Sequence, residues 1–165
     1  MIISIDAFAC CGVSENSFLN PQHELNSASL AKNTADIAAL ETAVYRQINE
    51  YRISRNLSPL IVNELISQQA RMHSENMAQG IVDFSHEGFQ QRISALKTTI
   101  AYRSAAENLA YNQGYADPAT SAVAGWLDSL SHRQNIEGNY NLTGIGIAKN
   151  QQGEYYFTQL FILQN

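Results

Sequence analysis

Apolar positions change character along this chain near residue 34. From there Ile37, Leu40, Val44, Ile48 and Tyr51 recur at steps of three and four, one face of an amphipathic helix. Thr34 or Asp36 supplies its cap. Its end is expected near Asn56, ahead of Pro59, because the residue before a proline avoids the helical region. Asn63 is placed to cap a second helix with the stripe Ile66, Ala70, His73 and Met77, closed by Gly80. Ile81 to Gly88 reads as a turn-rich stretch, and Phe89, Ile93 and Leu96 mark a short third helix. Residues 97–104 carry no clear period, and Ala105 to Tyr111 reads as extended. Asp117-Pro118 opens a further helix, with Asp as cap and Pro in the first position. Val123, Trp126, Leu127 and Leu130 are its expected buried face, and Ser131 caps one more turn ending at Gly138.

The end of the chain is β in pattern. Leu142 to Lys149 and Glu154 to Leu163 flank Asn150-Gln151-Gln152-Gly153, a hairpin with a glycine in its turn. The second of these strands, Tyr155 to Ile162, is apolar on both faces and must be covered on both. The expected fold class is therefore α+β: a three-layer α-β-α sandwich, a small antiparallel sheet between helices, built from residues 34–165.

Residues 1–33 read instead as a flexible lead-in, rich in Ser and Asn after Cys11. Ile2, Ile3, Ile5 and Ala7-Phe8-Ala9 form a short apolar stretch ending in a small-x-small pattern of the signal-peptidase type. No Lys or Arg precedes it and Asp6 interrupts it, so a whole signal peptide is not present. Two readings stay open: the remnant of an export signal, with Cys10 as a lipid-anchored first residue, or an ordinary disordered terminus.

Composition narrows the function classes. Of 165 residues only 15% are charged, against a usual share of about 25%, while Asn and Gln are abundant. A net charge of -5 argues against a partner with a phosphate backbone, so no nucleic acid is expected. No apolar run approaches the roughly 18 residues of a membrane span. Two adjacent cysteines, Cys10 and Cys11, cannot build a disulfide scaffold or a Cys-rich zinc fold.

Chemistry has few candidate carriers. His73 lies on the apolar stripe of the second helix, where a histidine is more often a core residue bonded to a backbone group. His86 and His132 stand among small polar residues at helix-loop junctions, outside any stripe. Glu107 interrupts the apolar segment Ala105 to Ala110, and a carboxylate there is costly to bury unless paired or ligated. There is no HExxH, GxSxG or CxxC signature.

Several segments carry a family resemblance: Ile48-Asn49-Glu50-Tyr51-Arg52 with Leu57-Ser58-Pro59-Leu60, and Ala70 through Ala78 including His73-Ser74-Glu75-Asn76. Phe84-Ser85-His86, Ala106-Glu107-Asn108-Leu109-Ala110 and Trp126-Leu127-Asp128-Ser129 follow. Ser131-His132-Arg133-Gln134-Asn135-Ile136, Thr143 to Ile147 and Tyr155 to Phe161 complete the series. Together they resemble the CAP superfamily (cysteine-rich secretory protein, antigen 5, pathogenesis-related 1), in its bacterial SCP-like or YkwD-like branch. The resemblance implies the same sandwich and a secreted or cell-envelope location. It also implies a surface cleft lined by two histidines and one or two acids, which in some members binds zinc or another divalent ion. Carried over by position, His86, Glu107 and His132 are the ligand-binding residues, with His86 and His132 the metal ligands. Two departures stand out: Ser129 occupies the place of a second cleft acid in eukaryotic members, and their Gly-His-Phe-Thr sequence is missing.

Three functions follow as expectations. One is an extracytoplasmic binding module for a divalent ion, small molecule, lipid or cell-wall component. Another is a metal-dependent hydrolase with Glu107 as general base; no catalytic residue beyond that set is indicated, and enzymatic activity is left open. The third is a structural or adhesive envelope domain in which Glu107 is a buried, hydrogen-bonded acid.

Overall fold

The structure is a computed structural model that describes residues 21–165. The apolar stretch before Cys10 and the lipid-anchor reading of Cys10 lie outside the described residues. The chain divides after Asn33 into two units, and the account below concerns the second, residues 34–165.

Among the described residues five helices and four strands follow in order. They are α1 (Pro21–Ser54), β1 (Ile61–Val62), α2 (Glu64–Ala78), α3 (Phe89–Leu96) and β2 (Tyr102–Gln113), then α4 (Pro118–Asp128), α5 (Leu130–Glu137), β3 (Leu142–Lys149) and β4 (Glu154–Gln164). The strands form one sheet in the order β1-β3-β4-β2. β4 pairs antiparallel with both β3 and β2, and β1 adds a short parallel edge through Ile61 opposite Leu142.

β4 explains the layering. Its residues alternate between two cores, because successive side chains of a strand point to opposite faces. Phe157 and Phe161 pack with Val44 and Ile48 of α1, Trp126 of α4 and Ile136 of α5. Leu160 and Ile162 pack with Ile66 and Ala70 of α2 and Ile93 and Leu96 of α3. Helices thus cover both faces, and the sandwich expected from the doubly apolar last strand is the fold. β3 shows why α2 can lie so close to it. A Cβ on Gly144 would stand 2.3 Å from the Ile66 carbonyl carbon, and one on Gly146 only 2.1 Å from the Arg71 nitrogen.

The caps match their residue types. Asn63 accepts from the Leu65 and Ile66 amides, and Asp117 accepts from the Thr120 amide. The Asn49-to-Leu60 motif is a polar latch. The Asn49 amide donates to the Leu60 carbonyl and accepts from its N–H at 3.0 and 2.8 Å. Arg52, buried, donates to the carbonyls of Ser58, Ile136 and Gly138 at 2.6–3.0 Å.

Three expectations need correction. α1 starts at Pro21, upstream of the Thr34 or Asp36 cap. Leu130 is not on the buried face of α4: it is 63% exposed. The helix breaks at Ser129, whose backbone is extended (φ -85°, ψ 122°), and Leu130 starts α5 turned outward, with Ser129 rather than Ser131 before it. The edge strand β1, two residues long, has no period to announce it.

Candidate functional site

Glu107 sits in mid-β2, opposite Leu160 of β4, and its side chain is 2% exposed. The cost of burying it is met by Arg92 of α3. Arg92 Nη2 donates to both carboxylate oxygens at 2.8 and 2.7 Å and Nε donates to Oε2 at 3.0 Å. A planar fork onto a carboxylate is the strong form of this pairing.

The remaining arm of Arg92 ties the pair to the loop before α3. Nη1 donates to the Glu87 carbonyl at 2.8 Å and lies 3.1 Å from His73 Nδ1. A guanidinium only donates, so Nδ1 of His73 accepts and its Nε2–H donates to the Ser85 carbonyl, 3.0 Å away. Burial, followed by the Arg92 cation, holds the His73 pKa below the ordinary histidine value. His73 is therefore a neutral core histidine bonded to a backbone group. Gly88 completes the loop: it adopts φ 77°, and a Cβ there would stand 3.1 Å from Arg92 Nη1.

His86 projects from this loop onto the same acid. Its Nδ1 lies 2.8 Å from Glu107 Oε1, while the side chain is 57% exposed. The structure thus brings His86 and Glu107 into direct contact. His132 is joined to them through its main chain. Asn108 Nδ2 donates to the His132 carbonyl at 3.0 Å, and Asn135 Nδ2 donates to Asn108 Oδ1 and, at 3.3 Å, to the Glu107 carbonyl. Burial, then the neighbouring His86, holds the His132 pKa below its ordinary value.

Among the described residues there is no group of three or more His, Cys, Asp or Glu placed to hold a metal ion. Glu107 has both oxygens committed to Arg92 and His86, which leaves the two imidazoles as the nitrogen donors here. Sequence reasoning missed Arg92. Its one signal was indirect: an acid in an apolar strand calls for a cation, but no pattern says which arginine answers.

A cleft of about 540 Å³ opens beside this group, between β2 and α4. Ser129 and His132 belong to its wall, and neither His86 nor Glu107 lines it. Trp126 forms part of the floor, fixed by its indole N–H on the Leu109 carbonyl at 2.8 Å.

Residues 45–161 match the family model for the cysteine-rich secretory protein family, CAP. The chain belongs to the CAP family. The uncharacterized protein YkwD of Bacillus subtilis is 31% identical over 150 residues, covering 83% of this chain. This chain spans 56% of that curated relative's length. An outer surface protein of Borrelia burgdorferi has the same fold, with a TM-score of 0.66 at 21% identity over 77% of this chain and 94% of its own. So does an SCP-domain extracellular protein of Bacillus anthracis, with a TM-score of 0.64 at 26% identity over 76% of this chain and 41% of its own. The CAP segments quoted from the sequence now have physical roles: Asn49 and Arg52 latch α1, Glu107 and Asn108 organise the His86–His132 region, and Gly144 and Gly146 admit α2. No described helix is long and apolar enough to cross a membrane.

Proposed function

We propose that this CAP domain is a ligand-binding module of the cell envelope or extracellular space, in which His86 and His132 take up a divalent ion, zinc above all. The supporting observation is the contact between His86 Nδ1 and Glu107 Oε1, 2.8 Å, beneath a half-exposed imidazole. A carboxylate on one ring nitrogen fixes the tautomer and raises the basicity of the other, the usual arrangement behind a metal-bound histidine. Nε2 of His86 is then the nitrogen offered outward. Glu107 acts behind His86 and not on the ion itself. Two imidazoles suit zinc and leave coordination positions for water or a ligand oxygen. An ion there would supply Lewis acidity toward that oxygen.

Binding is favoured over hydrolysis. A general base needs a free lone pair near the substrate, and Glu107 spends its oxygens on Arg92 and His86. The envelope or extracellular location is supported by similarity to an outer surface protein and to an extracellular SCP-domain protein. The ligand presented to the site is a small molecule, lipid or cell-wall component.

Calorimetric titration of Zn²⁺ tests the reading. Wild type is expected to bind with micromolar affinity or better, and His86→Ala/His132→Ala to lose that binding. Equal binding by the double variant overturns the assignment.

A further inference from the structure

The cleft between β2 and α4 has a chemistry of its own. No Lys, Arg, Asp or Glu lines it. Two tyrosines of its wall present large exposed areas, Tyr111 at 46% and Tyr115 at 59%. The Tyr111 ring is held in place: its centroid stands 5.3 Å from that of Tyr156 and 6.3 Å from that of Phe84, and its hydroxyl donates to Glu154 Oε1 at 2.9 Å. A rigid exposed ring contributes contact area at little entropic cost.

Polar groups stand beside the rings. Asn112, Gln113 and Ser129 are part of the same wall. Asn112 is 7% exposed; its Nδ2 donates to the Pro118 carbonyl at 2.8 Å, and its Oδ1 is a buried acceptor with no hydrogen-bond partner. Buried polar atoms without partners are uncommon and call for an explanation. Gly125 keeps the cleft open from the α4 side, since a Cβ there meets nothing within 4 Å.

We infer that this cleft binds a neutral oligosaccharide. A pyranose ring has faces of C–H groups and a rim of hydroxyls. The C–H face suits the negative face of a tyrosine ring, and the rim suits amides and hydroxyls. An anionic ligand meets no cation here. A purely apolar ligand would strip water from the polar wall at Gln113 and Ser129, whose side chains bond the Gln152 carbonyl and the Ser131 hydroxyl, and give no hydrogen bond in return. The volume falls within the usual range of ligand sites, about 300–1,000 Å³. His132 belongs to this wall as well as to the metal reading, but the inference rests on the tyrosines and needs no ion.

The test uses the full chain with chitotriose and cellotriose as probes and EDTA present throughout. Trp126 is the chain's one tryptophan and lines the cleft, so its fluorescence reports occupancy alongside calorimetry. At least one trisaccharide is expected to give a saturable signal. Tyr111→Ala and Gly125→Leu are each expected to weaken it by about tenfold or more. Gly125→Leu replaces a helical glycine with a better helix former, so its melting temperature should not fall and lost binding then reports a filled cleft. No saturable binding by either sugar overturns the inference. So does equal binding by wild type and a folded Gly125→Leu, or displacement of the sugar by a fatty acid at lower concentration.

Discussion

The guanidinium of Arg92 closes on the carboxylate of Glu107 with three hydrogen bonds of 2.7–3.0 Å, and both groups are nearly inaccessible to solvent. That pair is the hub of the site. His86 rests on its acid and His73 on its base, so the loop 84–88 is tied down through Ser85, His86 and Glu87.

Removing one half of the pair should therefore be costly. Arg92→Met leaves a buried carboxylate unmatched and is expected to lower stability by about 3–5 kcal/mol in urea denaturation. Arg92→Lys should recover only part, because an ammonium cannot reproduce the fork. Arg92→Met/Glu107→Gln should be less damaging than Arg92→Met alone, since no bare charge remains. A double variant as unstable as the sum of its parts contradicts this account.

Acid should weaken the fold through two histidines. His73 is held below its ordinary pKa by burial and the Arg92 cation, and His132 by burial and the nearby His86. The unfolded chain protonates these rings first as pH falls, so their contribution is complete above about pH 6.5 and is lost as pH drops through the folded values. Denaturation midpoints should decline below about pH 6.5, and less steeply in His73→Gln. An unchanged slope in that variant removes His73 from the explanation.

Glycines of opposite setting should respond oppositely. Gly146→Ala drives a Cβ into the α2 backbone at Arg71 and is expected to cost about 3 kcal/mol or more. Gly125→Ala, on α4 facing open space, should stabilise by up to about 1 kcal/mol. Thermal melts of the two variants give the comparison directly.

Arg52 should prove indispensable to the latch between α1 and the turn after α5. Burial presses its pKa down, yet it donates to three backbone carbonyls within 3.0 Å. Arg52→Met strands those carbonyls and is expected to cost about 2–4 kcal/mol by urea denaturation. A loss under about 0.5 kcal/mol, typical of a surface change, contradicts the latch.

Much of the sandwich was legible because its elements carry their own periods. α2 has its stripe and its Asn63 cap, α4 its Asp117-Pro118 start, and the β3–β4 hairpin its alternation around Gly153. The helix break at Ser129 was hidden because Leu130 continues the apolar spacing of α4, and backbone geometry rather than side-chain pattern ends that helix. At the site, Glu107 was marked by an acid in apolar company and His86 by polar company. Arg92 and the β2–α4 cleft were not, because both arise from how the successive elements α3, β2 and α4 pack, which no periodicity encodes. His132 was visible as a residue, but its link to Glu107 runs through Asn108 and Asn135 and the backbone, which no spacing encodes.

The central claim is that His86 and His132 share one ion while Glu107 stands behind His86. A crystal of the full chain soaked in zinc and measured on both sides of the zinc absorption edge tests it most directly. The account predicts an anomalous peak within bonding distance of His86 Nε2 and a His132 ring nitrogen, with Arg92 still on Glu107. A peak bonded to Glu107 with Arg92 displaced, or no peak between the two imidazoles, would contradict it.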